Sequence, residues 1–408
     1  MRIAVLGAGI SGLATAYSLQ KRGHDVVVFE ARDRAGGNAF TEERDGCVIE
    51  WGVGSILDNE PRTLALIEEL GLAGEVVRAN DQAAVRYVWR AGRLRQLPTS
   101  PKSFLFGDIL PLRARLRVLL EPRFAKRALE ADDPSVRDFF LHRFGADAAD
   151  VLADAFVTGV WAGDPARLSF RCAFPKLAAL EGSLLKGARG AGPPGKLISF
   201  RRGMSTIIEA LVQRVNVRLG DGWETLEQRD FDRVVCTLPP ARVPATGALR
   251  DALDRVPAAP VAVVAMAFRR DEVIAPDGFG LLAPYGQGLR ILGTLYDSSI
   301  FAGRAPDGIA LFRTMVGGRR DPGAVDLDDS ALQELVLADL KRAWGSVPTP
   351  RVVAIHRWRL GITQYEIGHA ALLQTVASLC PPWLRLAGSG YRGISFNACV
   401  AEGVDWAP

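Results

Sequence analysis

Near the amino terminus, Gly7-Ala8-Gly9-Ile10-Ser11-Gly12 carries the GxGxxG spacing, and an acid, Glu30, closes the next apolar run. Glycines so placed allow a tight turn, close approach of a pyrophosphate and close packing of a helix on a strand. The following helix would face the phosphates with free N–H groups and a partial positive charge. GxGxxG alone is a weak signal. Here Ile3 to Leu6 reads as a buried strand, Leu13, Ala16, Tyr17 and Leu19 as a helix ending at Gly23, and Val26 to Phe29 as a second strand. These are the parts of a βαβ nucleotide-binding unit, at its usual spacing. The reading is a bound dinucleotide whose ribose hydroxyls meet Glu30, which argues against a 2′-phosphate.

The run Glu30-Ala31-Arg32-Asp33-Arg34-Ala35-Gly36-Gly37 places a second glycine pair just past the acid strand. That arrangement suits a chain wrapped along an extended FAD better than one holding NAD. Glu50-Trp51-Gly52-Val53-Gly54-Ser55 would then bring backbone back towards the cofactor, an ordinary surface turn being the alternative.

Around these residues the pattern alternates between elements. Pro61 opens a helix carrying Leu64, Ile67 and Leu70. Val85, Tyr87 and Trp89 ahead of Ala91-Gly92 predict a hairpin, and residues 103–156 read as helical with breaks at Pro111, Pro122 and Pro134. A Gly/Pro-rich connection spans 187–195. Residues 215–219, 234–238 and 384–387 read as strands rejoining the first sheet. Residues 261–268, 289–296, 309–316 and 352–358, with a helix near 330–344, predict a second sheet. The expected fold is α/β, a Rossmann-type FAD-binding domain interleaved with a mixed-sheet substrate domain and a helical segment. Its division is 1–75, 201–257 and 351–408 for the cofactor, with 76–200 and 258–350 for substrate.

In 408 residues, 50 basic and 46 acidic side chains give a net charge of +4, too little to imply nucleic acid. The 48% hydrophobic and 24% charged fractions are those of a globular protein. No apolar run reaches about twenty residues and no leader precedes the first strand, so a cytoplasmic protein is expected. Cys47, Cys172, Cys236, Cys380 and Cys399 show no CxxC spacing and read as reduced thiols. Leu112, Leu116, Leu119 and Phe124, flanked by Arg113, Arg115, Arg117, Arg123, Lys126 and Arg127, predict either a basic interfacial helix on the inner face of the cell membrane or a solvated helix over a core.

Several further stretches occur together: Asp108-Ile-Leu-Pro-Leu112, Thr158-Gly-Val-Trp-Ala-Gly-Asp164, Ala173-Phe-Pro175, Ala275-Pro-Asp-Gly-Phe-Gly280, Ile291-Leu-Gly-Thr-Leu-Tyr-Asp-Ser-Ser299, Val316-Gly-Gly318, Arg357-Trp358, Gln364-Tyr365 and Gly368-His369. With them, nearly the whole chain resembles the oxygen-dependent protoporphyrinogen oxidases and their coproporphyrinogen-oxidising relatives. The resemblance implies a three-step porphyrinogen oxidation, two electrons passing to FAD at each step, with molecular oxygen as final acceptor. It implies no acid–base residue, no metal and, at most, a homodimer. It assigns substrate contacts to Arg86, Gly159, Leu282 and Met315, Arg86 pairing with a propionate. An arginine fork suits a carboxylate, although Arg86 also reads as a solvated hairpin charge, and Leu282 and Met315 as core. To the cofactor the resemblance assigns Asn38, Val217, Trp358, Ser389, Gly393 and Ile394, simple burial being the alternative for Trp358. His24 and His142 read as surface residues and His369 as a loop residue.

The chain also departs from that pattern. Between Leu219 and Gly222 it lacks the short strand whose valine backbone holds adenine, and little room remains for a β-meander before Val234. Asn38, Val53, Arg202 and Ser389 replace commoner residues. Weaker flavin affinity is expected. Amine oxidation, polyene desaturation and a non-catalytic tetrapyrrole-binding role remain as alternatives.

Overall fold

The computed structural model describes residues 1–124, 131–180, 182–185, 195–225 and 227–408. β1 (Arg2–Leu6) and β2 (Asp25–Glu30) are apolar almost throughout, as strands covered on both faces must be. They lie within a five-stranded parallel sheet ordered β10 (Asn216–Leu219), β2, β1, β11 (Arg233–Cys236), β17 (Leu384–Leu386). α1 (Ile10–Lys21) links β1 to β2 and buries Leu13, Ala16 and Leu19 against Ile3, Val5, Val26 and Val28. The opposite face, with Ala4, Leu6, Val27 and Phe29, is covered by the helices Gly247–Asp254 and His369–Leu379.

Among the described residues of 220–232 no strand forms. Trp223 and Phe231 close instead on Phe29, with ring centroids 5.3 and 5.9 Å away. Arg218, Arg229 and Arg2 lie over Phe29, Trp223 and Phe231 respectively. Three aromatic rings and three cations thus cap the sheet where a longer chain would add strands.

The second sheet has seven strands, ordered β16 (Val352–Thr363), β12 (Ala258–Arg269), β15 (Ile309–Gly317), β14 (Ile291–Leu295), β13 (Gly280–Leu282), β7 (Arg86–Arg90), β8 (Arg93–Gln96). Neighbours are antiparallel except β7 and β13, which run parallel. One face packs on the helix Asp329–Trp344 through Leu332, Val336 and Leu340. The other carries Val261, Val263, Leu311 and Trp358 towards Trp51 and Ile49. The 85–92 hairpin therefore joins this sheet through β13, a strand that no strong alternation marks in the sequence. Two smaller pieces tie the sheets together, the hairpin β3 (Thr41–Arg44) with β4 (Cys47–Glu50) and the set β5 (Ile56–Leu57), β9 (Leu197–Phe200), β6 (Val76–Arg78).

Helices dominate residues 101–178, where Leu112–Leu119, Val136–Phe144 and Asp154–Trp161 surround Val136, Phe139, Trp161 and Phe170. The Leu112–Leu119 helix turns Ala114 and Val118 inward and leaves Leu112, Leu116 and Leu119 exposed. Its arginines are less free than their spacing suggests. Arg115 bonds the carbonyls of Leu105 and Gly107, and Arg117 those of His142 and Arg143. Lys126, Arg127 and the 187–194 stretch lie outside the described residues, as does the Phe124 side chain. Among the described residues no helix is long and apolar enough to cross a membrane. His369 is not a loop residue: it begins a helix and is buried, stacked on Tyr365 with centroids 4.2 Å apart.

Candidate functional site

The glycine turn sits at the carboxyl end of β1. Gly7 takes φ +99°, a left-handed value that favours glycine, and donates its N–H to the Phe29 carbonyl at 2.8 Å. A Cβ on Gly12 would stand 2.0 Å from the Gly7 carbonyl oxygen, so helix and turn touch there. At Gly9 the same construction meets nothing within 4 Å. The space lies beside the start of α1, where no side chain caps the N–H groups of Ile10 and Ser11. A pyrophosphate fits that combination of open volume and unpaired donors.

Glu30 ends β2, nearly buried, and its carboxylate accepts from the N–H groups of Ala8 and Arg32 at 2.9 and 3.1 Å. Gly36 donates to the Ala8 carbonyl at 2.8 Å, and a Cβ on Gly37 would lie 3.3 Å from Gly9 Cα. The two glycine-rich stretches are thus brought against each other. At the far end, Gly220 and Asp221 donate to the carbonyls of Arg32 and Glu30, and Gly222 abuts Ala31. Val217 lies on the edge strand β10, paired with Val28 two residues before Leu219 meets Glu30, and packs against the core under α1.

Residues 50–55 and 388–394 form the other walls. Asn38 Nδ2 donates to the Gly361 carbonyl at 3.0 Å, and Val53 N–H to the Asn38 carbonyl at 3.3 Å. Trp358 is buried with its indole N–H on the Trp51 carbonyl at 2.6 Å. Ser55 is half-buried beside Gly54, whose carbonyl accepts from Ser199. Gly388 packs on Ser11, and Ser389 is exposed next to it. Gly393 takes φ +129°, while Ile394 packs on the helical core.

Beneath the 50–55 segment lies a set of charges that sequence reasoning missed. Glu50, Asp297, Arg304 and Arg313 are each no more than 5% exposed. Glu50 accepts from Thr41 Oγ1 at 2.6 Å and Met204 N–H at 2.8 Å, with Arg304 3.4 Å away. Arg313 holds both oxygens of Asp297 at 2.5 and 2.8 Å and also donates to the Glu50 carbonyl. Burial pushes the Glu50 carboxyl up from its usual range against the pull of Arg304. The available signal was an arginine set among apolar residues in the 309–316 strand.

Arg86, Gly159, Leu282 and Met315 come together across four strands and one helix. Val88, Leu282, Gly293, Met315, Val263 and His356 stand opposite one another on successive strands, and Arg86, Gly280, Leu295 and Arg313 form the adjacent row. Residues two apart on a strand share a face, so Arg86, Leu282 and Met315 look the same way. Gly159, on the Asp154–Trp161 helix, closes on this face, since a Cβ there would lie 2.8 Å from Leu282 Cδ2. The helix is held by Asp154, whose carboxylate takes the Arg320 guanidinium, Thr158 Oγ1 and Tyr285 N–H. The Arg86 guanidinium lies 4.8 Å over Phe279, and among the described residues no carboxylate pairs with it.

A parallel sheet with a glycine turn and acid-tipped strand, joined to a mixed sheet through paired loops, defines a flavin-dependent oxidoreductase. Residues 10–407 match the model of the flavin-containing amine oxidoreductases, and the chain belongs to that family as an FAD-dependent oxidase. It is 31% identical to the mitochondrial protoporphyrinogen oxidase of Nicotiana tabacum, over 100% of this chain and 94% of that protein. The coproporphyrinogen III oxidase of Bacillus subtilis (strain 168) is 26% identical, over 98% of this chain and 96% of its own length. A crystal structure from Exiguobacterium sp. 255-15, of a protein provisionally named a protoporphyrinogen oxidase, superposes with a TM-score of 0.86 at 25% identity, covering 99% and 97% of the two chains.

Proposed function

We propose that this enzyme oxidises a porphyrinogen, protoporphyrinogen IX before coproporphyrinogen III, with molecular oxygen as acceptor, in haem biosynthesis. The observation that carries the reading is an unpaired Arg86 on the same sheet face as Leu282, Gly293 and Met315. From β7 to β15 that face spans three strand spacings, about 14 Å, the scale of a tetrapyrrole with its acidic side chains. A flat apolar ring would lie on Leu282 and Met315 with Gly159 at its edge, and Arg86 would take a propionate in a bidentate pair. The relatives named protoporphyrinogen oxidase are the more similar by sequence.

Bound FAD supplies the two-electron acceptor that the side chains lack. Gly7, Gly9, Ile10, Ser11 and Gly12 would hold its pyrophosphate and Glu30 its ribose. Residues 52–55 and Trp358 would border the ring system, with Ser389, Gly393 and Ile394 beside the phosphates. Arg86 is the only ionisable member of the substrate set, so the protein's part is to bind, orient and exclude water rather than to exchange protons.

The exposed Leu112, Leu116 and Leu119, with Phe106 76% exposed nearby, support peripheral contact with the inner face of the cell membrane. The activity is tested by supplying both porphyrinogens aerobically and following porphyrin fluorescence and oxygen uptake. A flavin-loaded protein that oxidises neither would refute this reading and point to an amine or polyene substrate.

A further inference from the structure

We infer that Tyr365 is a positioning residue for the cofactor, its single hydroxyl bolting residues 389–393 in place against the amino terminus of α1. The inference rests on the reading of Ser389, Gly393 and Ile394 as cofactor contacts. Tyr365 is 3% exposed and lies in the short segment that follows β16. Its hydroxyl donates to the Ser389 carbonyl at 2.8 Å and accepts from Gly393 N–H at 2.7 Å. One atom therefore satisfies an acceptor and a donor at the two ends of the same loop.

The bolt is itself fixed on the far side. The Tyr365 ring meets Trp161 edge-on at 5.0 Å and lies flat on His369 at 4.2 Å. Its carbonyl accepts from Ser169 N–H at 2.9 Å. Trp161 and Ser169 belong to the helical region whose Gly159 closes on Leu282, so Tyr365 joins the substrate side to the cofactor loop. The loop has little freedom on the α1 side, because a Cβ on Gly388 would stand 2.9 Å from Ser11 Oγ. Burial pushes the Tyr365 phenol up and the His369 imidazole down to about 4, which keeps both neutral and the hydroxyl a donor. A tyrosine so placed touches no reacting atom; it sets where Ser389, Gly393 and Ile394 stand.

Tyr391 offers an internal control. It lies in the same loop, is 5% exposed, and its hydroxyl has no hydrogen-bond partner among the described residues. Tyr365→Phe and Tyr391→Phe delete the same atom from two buried rings, but only the first releases the loop. The measurement is FAD release from diluted holoenzyme, followed by the rise in flavin fluorescence, together with Tm. The dissociation constant of Tyr365→Phe is expected to rise about tenfold, equivalent to about 1.4 kcal/mol, while Tyr391→Phe holds flavin as the parent does. Three results overturn the inference: parental flavin retention in Tyr365→Phe, equal weakening in both variants, or a lower Tm in Tyr365→Phe without faster release. A parent that binds no flavin at all removes the cofactor reading first, and this inference with it.

Discussion

The guanidinium of Arg313 backs directly onto Gly54: a Cβ on that glycine would stand 2.6 Å from Arg313 Nη2. The strand that presents Met315 thereby also fixes residues 52–55, proposed above to border the flavin ring, since Arg313 and Met315 are two residues apart on β15. Gly54→Ala should displace that segment without removing a charge. We expect faster flavin release with a modest fall in Tm. Arg313→Met leaves Asp297 buried without its cation, which costs about 3 to 5 kcal/mol. Thermal unfolding of the two variants, run beside the parent, checks the order.

Arg86 predicts a different signature. Among the described residues no carboxylate pairs with it and its contact is the Phe279 ring, so Arg86→Ala should leave Tm and flavin content near parental values. Loss of a charge-assisted bond to a propionate, roughly 1.5 to 3 kcal/mol, corresponds to about a ten- to hundred-fold fall in kcat/KM, mostly through KM. Parental kinetics with both porphyrinogens would mean a solvated hairpin charge.

Gly9→Val should fill the open space beside the helix start and abolish flavin binding, because a branched side chain there enters the pyrophosphate's path. Flavin absorbance of the purified variant reads this directly. Retained absorbance would place the phosphates elsewhere.

Acid should weaken the fold through His369. Its pKa falls from 6.5 to about 4 on burial, so between those values the unfolded chain binds a proton that the folded chain refuses. Stability from this residue is complete above about pH 6.5 and is lost as pH falls towards 4, by about 3 kcal/mol at most. Burial, then Arg34 and Arg32, lowers His356 too, so His369→Phe should lessen the acid slope of Tm rather than remove it. An unchanged slope would show that His369 takes up its proton as readily in the folded state.

The exposed leucines give a test of lipid contact. With Arg115 and Arg117 committed to carbonyls, the informative change is Leu112→Glu with Leu116→Glu. Sedimentation with acidic liposomes should drop sharply in the double variant. Equal sedimentation would leave the stripe as a solvated face.

What the sequence made legible was whatever is local. β1, α1, β2 and Glu30 follow from one apolar–glycine–apolar pattern, and the 309–316 and 352–358 strands from stretches rich in apolar residues. The Glu50–Arg304–Arg313–Asp297 cluster was not legible as a set, because its members come from four separate stretches and only Arg313, among apolar residues, stood out from a surface charge. Tyr365 was visible only as part of a motif; that its hydroxyl spans Ser389 and Gly393 depends on a chain reversal through the helix at 369–379. β13 was missed because three residues carry too little periodicity to register, yet it places Leu282 beside Gly293. For Arg115 and Arg117 the sequence showed charges flanking an apolar stripe but not their partners: the guanidinium groups reach across to carbonyls at 105 and 107 and at 142 and 143 in neighbouring segments.

Interleaving has a consequence for how the molecule is made. Ile3 pairs with Arg233, and Val234 with Leu384, so the central strand β1 waits for β11 from the middle of the chain, and β11 in turn waits for β17. Arg86 on β7 likewise waits for Gly280. The first sheet cannot close before Leu384–Leu386 has been made, nor the second before Val352–Thr363, and contacts this distant in sequence form slowly. The nascent amino-terminal βαβ unit must therefore persist with an open strand edge during synthesis, a state prone to mispairing that a chaperone would need to shield.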